Sequence, residues 1–275
     1  MDINSTNIVL KVGGNFFEDT LAQSSFFKAV SELKKQGYNI AIVHGGGSQL
    51  QTQLTALGFE SKKHNGLRIS PDEQMPAVAG VLAGTLNKQL VCMAMQHGLS
   101  GVGIALCDGN LAHCTEVDST LGAVGYPHPK SAKLLHQLMH ANLTPIICSI
   151  GSNNEGRLFN VNADQAATCV ASLLYADLFL LSDVAGVLDA QKNRITQLNH
   201  QTISELTANG VIADGMVVKV KAAQEAANTL HKPVTIGSWS EVSKLLADLK
   251  EAQGQNAECG LNTGTQILPA KGVNE

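Results

Sequence analysis

The chain has 275 residues, 44% of them hydrophobic and 15% charged, with a formal net charge of −4. That length and apolar content can build a sizeable core without disulfide staples, and so mild an acidity leaves no electrostatic footprint for nucleic acid. The six cysteines (Cys92, Cys107, Cys114, Cys148, Cys169, Cys259) contain no C-x-x-C pair and sit mostly in apolar runs, which suits a reducing cytoplasm. The opening "MDINSTN" lacks a basic n-region and a long apolar core, so no signal peptide is expected. The apolar run from Cys169 to Leu188 is interrupted by Asp177 and Asp183, which argues against a membrane span there.

"NIVLKV", from Asn7 to Val12, reads as a buried strand ending in Gly13-Gly14. Helical spacing follows in Leu21, Phe26, Phe27, Val30 and Leu33, with Gly37 as a stop. "NIAIVH" reads as a second strand, and "SQLQTQLTAL" as a second helix with Ser48 as its N-cap. Short connections in a β-α-β-α opening predict a parallel sheet with right-handed crossovers. A hairpin is expected around Asn65-Gly66, then one long helical segment from Pro71-Asp72 to about His97.

"GVGIAL" and "LAHCTEV" read as strands around Asp108-Gly109, "SAKLLHQLMHA" as a helix and "TPIICSI" as a buried strand. "ADQAATCVASLL" is a helix and "ADLFLLSDV" a strong strand. Two helices follow in "HQTISELTANG" and "MVVKVKAAQEAANTL", then the strand "KPVTIGS" and a last edge strand "TGTQIL". Residues 250–262 read as a loose connection, and the tail "PAKGVNE" as frayed. The alternation to the end predicts one large sheet, and "SNNEG" near Ser152 marks a change of lobe.

The chemistry is expected where glycines follow strands. "LKVGG" and "VHGGG" each stand between a strand and a helix, and the carboxyl ends of parallel strands share one ligand-binding edge. Helix starts there offer N–H groups to anions, and Lys11 adds a cation. A tight turn with no ligand would also explain either cluster alone. No G-x-x-x-x-G-K-[ST] and no H-R-D or D-F-G set occurs, and Gly101–Gly103 lies within a strand pattern, where it serves packing.

In order along the chain stand "LKVGG", "VHGGG", "NGLR", "NVNADQAAT", "LLSDVAGVLD" and "DGMVVKVKAA". With these, from about Ile8 to Leu268, the chain resembles the amino acid kinase family, and "NGLR" with "NVNAD" resembles its acetylglutamate-phosphorylating branch. The resemblance implies a three-layer αβα open sandwich around a mainly parallel sheet, in two lobes. Residues 1–151 would bind N-acetyl-L-glutamate and dimerise, and residues 152–275 would bind ATP. The implied reaction, a step of arginine biosynthesis, moves the γ-phosphoryl of ATP to the substrate's side-chain carboxylate. That nucleophile is already ionised, so positioning and charge stabilisation are what it needs.

By the same resemblance, Lys11 contacts the transferring phosphoryl, Lys219 the leaving ADP side, and Asp164 orients both lysines. Gly14 and Gly46 donate N–H groups, and Gly46 and Gly47 contact acetylglutamate. Arg68 pairs with its α-carboxylate, Asn160 binds its amino-acid end, and Asn162 helps hold the site. Asp183, Val184, Ala185, Gly186, Val187 and Leu188 form one nucleotide contact, and Val211, Ile212 and Ala213 another, mostly through backbone. From the residues alone, Asp164 also reads as a helix N-cap, and Arg68 and Lys219 as solvated surface residues. Mg²⁺ is expected on the ATP phosphates, with no dedicated protein metal motif. His136 and His140 stand at i, i+4 but lack the Glu of H-E-x-x-H. His44 reads as structural, since the chemistry has no proton to remove.

A kinase for an aminoadipate derivative remains open, as one methylene is a small change in a pocket. So does a catalytically inactive amino-acid sensor on the same fold, although Lys11, Asp164 and Lys219 are all present. Only "MDINST" precedes the first strand, too short for the N-terminal helix that links arginine-sensitive relatives into rings. A cytoplasmic homodimer without arginine inhibition is the expectation.

Overall fold

The computed structural model describes residues 6–64, 67–244, 247–248 and 263–270. The fold opens with β1 (Asn7–Val12), α1 (Thr20–Lys35), β2 (Asn39–His44) and α2 (Gly47–Ala56). A two-stranded hairpin, β3 (Lys63–His64) and β4 (Leu67–Arg68), precedes α3 (Met75–Ala79), a π-helical turn (Gly80–Leu86) and α4 (Asn87–Gln96). Then come β5 (Gly101–Ala105), β6 (Ala112–Glu116), β7 (Val124–Pro129), α5 (Lys133–His140), β8 (Thr144–Cys148), β9 (Ile150–Ser152) and β10 (Leu158–Val161). The remainder holds α6 (Ala163–Leu174), β11 (Asp177–Ser182), β12 (Gln197–Leu198), α7 (His200–Ala208), α8 (Asp214–Leu230), β13 (Val234–Ser238) and β14 (Thr265–Ile267).

The main sheet has eight strands in the order β12-β14-β13-β11-β1-β2-β8-β5. All its pairings are parallel except β13 with β14. Residues Ile40–His44 and all of β8 and β13 are buried, as strands covered by helices on both faces must be. α6 packs on β1, β2 and β11 and against α8, while α1 packs on β2 and against α4. The chain moves one way from β1 to β2 and the other way to β11, so a topological switch point lies at the end of β1.

The expectation of one large sheet is corrected. A second, four-stranded sheet runs β6-β7-β10-β9. "TPIICSI" is split between the two: after Cys148 the chain leaves the main sheet, and Ile150 pairs with Asn160 of β10. β7 went unread because its sequence, "VGYPHP", carries two prolines. It forms because β10 pairs with it only at Val124 and Gly125. The nitrogens of Pro127 and Pro129 turn to the side that β10 has left open, so the ladder to β6 loses no donor.

Smaller expectations shift as well. "TGTQIL" is not an edge strand, since β14 lies between β12 and β13. The cap of α2 is Gly46 rather than Ser48, whose hydroxyl donates to Gln49. Leu21 is 81% exposed and does not belong to the buried face of α1. The strands of the expected hairpin pair, with residues 65–66 themselves outside the described residues. Residues 251–262 and 271–275, including Cys259, also lie outside them, as do residues 1–5.

Candidate active site

A cleft of about 230 Å³ opens at the switch point. β1 delivers Lys11 and then Gly13-Gly14 to it, β2 delivers Gly45–Gly47, and β10 with the start of α6 delivers Asn160, Asn162 and Asp164. Gly14 turns the chain with φ 62°, a conformation that costs other residues strain. Gly46 is needed for close approach: a Cβ there would lie 2.1 Å from Leu86 Cδ1. The two glycine clusters predicted to meet at one edge do meet there. Gly103, by contrast, packs against Asn87, as its strand context implies.

Lys11 Nζ pairs with Asp164 Oδ1 at 2.9 Å, with both side chains about four-fifths buried. Lys219 reaches the same place from α8, donating to Ser182 Oγ at 3.1 Å and pairing with Asp183 Oδ1 at 3.5 Å. Lys11, Asp164, Ser182 and Lys219 border one small cavity of about 20 Å³ beside the cleft. The three expected charged residues are therefore brought together. Asp164 holds Lys11, while Ser182 and Asp183 at the end of β11 hold Lys219.

Asp164 is not the helix cap. Asn162 is, its Oδ1 accepting from Asp164 N at 2.8 Å and from Gln165 N at 3.4 Å. The Asp164 carboxylate is thus left to Lys11, and it stands near the positive end of α6.

Arg68 is 8% exposed and lines the cleft, which excludes its reading as a surface residue. Its Nη1 donates to Gln51 Oε1 and its Nη2 to the Gly47 carbonyl, both at 2.8 Å. Burial pushes its pKa down from the ordinary arginine value. Among the described residues no carboxylate pairs with it, so a buried guanidinium faces the cleft with donors to spare. Ser70, fully buried, donates to the Arg68 carbonyl at 3.1 Å and accepts from Asn160 Nδ2 at 3.0 Å, tying these two residues together. Leu50, Leu82 and Val124 supply an apolar wall.

The segment Asp183–Leu188 leaves the end of β11. Val187 is buried there, and its N–H donates to Thr265 Oγ1 at 2.8 Å. Val211 and Ile212 both donate to the Leu206 carbonyl, and Ala213 caps α8, the helix that carries Lys219. Both segments are therefore anchored to the elements around the second lysine.

His44 is wholly buried with its pKa lowered to about 4 by that burial, so it is no base at neutral pH. Among the described residues no group of three His, Cys, Asp or Glu side chains could hold a metal ion. Burial raises the thiols of Cys114 to about 11 and of Cys148 and Cys169 to about 12, so these cysteines stay protonated and unreactive.

Gln51, Ser70 and Ser182 were missed in the sequence. Gln51 lies in the helix after the glycines and Ser70 two residues after Arg68, but nothing local marks either as polar support for a site. Their contacts cross 17 and 90 residues and exist only once the sheets assemble.

An acetylglutamate kinase from Vibrio campbellii is 45% identical over 267 residues, which cover 97% of this chain and 98% of that one. A crystal structure of a Streptococcus mutans protein matches with a TM-score of 0.75 at 26% identity, over 95% of this chain and 98% of that one. An N-acetylglutamate synthase from Neisseria gonorrhoeae, in complex with coenzyme A and N-acetyl-glutamate, shares the fold with a TM-score of 0.77 at 20% identity. The match covers 97% of this chain and 60% of the synthase. The sequence profile of the amino acid kinase family matches residues 7–238, and the chain belongs to that family.

Proposed function

We propose that the chain transfers the γ-phosphoryl group of ATP to the side-chain carboxylate of N-acetyl-L-glutamate, giving N-acetyl-L-glutamyl 5-phosphate in arginine biosynthesis. Relatives named acetylglutamate kinase align along about nine-tenths or more of the chain. The observation that carries the reading is the Lys11–Asp164 pair beside two glycine turns, with Lys219 on a shared cavity and a buried Arg68, unpaired with any carboxylate among the described residues, lining the same cleft.

In this reading the Arg68 fork takes the substrate's α-carboxylate and Asn160 its amino-acid end, while Gly46 and Gly47 face the reacting carboxylate. No base is needed. Lys11 and the N–H groups of Gly14 and Gly46 stabilise charge on the phosphoryl group, and Lys219 stabilises it on the departing ADP. Asp164 positions Lys11, and Asn162 holds the start of α6 in place. Asp183–Leu188 and Val211–Ala213 flank the nucleotide. The nucleotide enters as its Mg²⁺ complex, in which phosphates and water supply most of the metal's ligands.

By this reading residues 1–151 form the acetylglutamate lobe and residues 152–275 the ATP lobe. A homodimer is supported by the helical run Asp72–Gln96, which holds an 18-residue stretch with a mean hydropathy of 1.3 of which only 39% is buried. It is long and apolar enough to cross a membrane by length and composition alone. A second copy, meeting α4 beside the half-buried edge strand β5, would cover that surface. The test is ADP release with acetylglutamate, glutamate, aspartate and acetyl-aminoadipate. Preference for acetylglutamate is expected. Faster turnover of acetyl-aminoadipate would move the chain to the neighbouring specificity, and no turnover of any would make it a binding protein.

A further inference from the structure

His44 ends β2 directly before the three glycines and is 0% exposed. Both ring nitrogens are engaged: Nδ1 lies 2.9 Å from the Gly45 carbonyl oxygen and Nε2 lies 3.1 Å from Asn87 Nδ2. A carbonyl oxygen only accepts and an amide nitrogen only donates. One neutral tautomer satisfies both contacts, with the proton on Nδ1 and a lone pair on Nε2. The Asn87 amide is oriented independently. Its Nδ2 also donates to the Ile146 carbonyl at 2.9 Å, and its Oδ1 accepts from Lys88 Nζ at 3.1 Å. A directed relay thus runs from Lys88 through Asn87 and His44 to the Gly45 carbonyl.

The relay ends on a peptide that needs a lock. Gly45 and Gly46 flank it without a Cβ on either side, so the unrestrained peptide could rotate at little steric cost. Among the described residues no peptide bond is cis, and in a trans peptide the C=O and N–H point to opposite sides. Holding the Gly45 oxygen against the buried imidazole therefore turns the Gly46 N–H away from the core and toward the cleft that Gly46 lines. Among the described residues that N–H has no acceptor within the chain.

We propose that His44 is a positioning residue for phosphoryl transfer, locking the Gly45–Gly46 peptide so that the Gly46 N–H is a preformed donor to negative charge in the cleft. The proposal rests on the role given to Gly46 in the proposed reaction. A donor already aimed needs no reorganisation as charge develops, which is where such groups contribute most. The ring acts through its geometry and stays neutral, since burial holds its pKa near 4.

Three proteins and one spectrum test it. His44→Leu keeps the bulk and loses the donor. It should lose about tenfold or more in kcat, with both KM values within about twofold. His44→Asn places an amide N–H within reach of the same carbonyl and should recover most of that loss. Unchanged kcat in folded His44→Leu, or no recovery in His44→Asn, would overturn the proposal. Ring-nitrogen NMR of the wild type needs no variant: His44 should show the neutral Nδ1–H form throughout about pH 5.5 to 8. The Nε2–H tautomer, or titration in that window, would overturn it equally. If the wild type fails to phosphorylate acetylglutamate, the functional reading falls first, while the spectrum still decides whether the lock exists.

Discussion

Gly46→Ala tests how tightly the glycine turn is packed. Gly46 has φ 167°, outside the left-handed range that favours glycine. The cost is steric: the new Cβ would lie 2.1 Å from Leu86 Cδ1 and 3.2 Å from Leu82 Cδ2. Leu86 is 3% and Leu82 2% exposed, so neither side chain has solvent to swing into. Such overpacking costs about 1–3 kcal/mol. Leu86→Ala alone opens a cavity at about 2–5 kcal/mol. In the double variant the alanine methyl enters the space that Leu86 vacates. The pair should then be less destabilised than the sum of the two by about 1–3 kcal/mol. Equilibrium unfolding of the four proteins in denaturant reads this coupling. Additivity within about 0.5 kcal/mol would refute the contact.

Lys11→Ala and Lys219→Ala should each lower kcat by on the order of 10²-fold while acetylglutamate binding changes little; steady-state kinetics with near-normal kcat would remove both lysines from the mechanism. Arg68→Lys should raise the acetylglutamate KM roughly tenfold and leave the ATP KM alone, because a point charge replaces a planar fork; a selective ATP defect would put Arg68 in the wrong lobe. Asp164→Asn should lower turnover with little change in melting temperature, since Asn162 and not Asp164 caps α6; Asn162→Ala should instead cost about 1 kcal/mol of stability. His44 also makes stability depend on pH. Its pKa is about 4 folded and 6.5 in the ordinary state, so stability is full above pH 6.5 and falls as the unfolded chain takes up the proton. The loss between pH 6.5 and 4 should approach about 3 kcal/mol. A His44→Leu variant that loses as much over that range would contradict the assignment.

How far the sequence discloses this molecule depends on how local each feature is. β1, β2, β8 and β11 carry apolar runs of three or more residues, and burial on both faces is what such runs mean. The second sheet was hidden because β7 contains prolines and β9 and β10 are short, so their pairing depends on neighbours rather than on propensity. Lys11 and the two glycine turns are marked by their place at strand ends before helices. Arg68 and Lys219 are not: residue type and spacing favour a solvated surface for both, and only the family likeness selected them. Asp164 reads as a possible cap of α6 from residue type, but Asn162 suits the role equally, and only the backbone decides for Asn162. Ser70, Gln51 and Ser182 act through contacts distant in sequence, for which no local pattern exists.

The most direct test of the central claim is to trap the product. Incubating the protein with ATP, Mg²⁺, N-acetyl-L-glutamate and hydroxylamine should yield the hydroxamate of acetylglutamate in step with ADP release, since an acyl phosphate is captured by that nucleophile. The same incubation with Lys11→Ala should yield almost none. ADP release without hydroxamate, or hydroxamate formation that ignores the loss of Lys11, would contradict phosphoryl transfer to the carboxylate at this site.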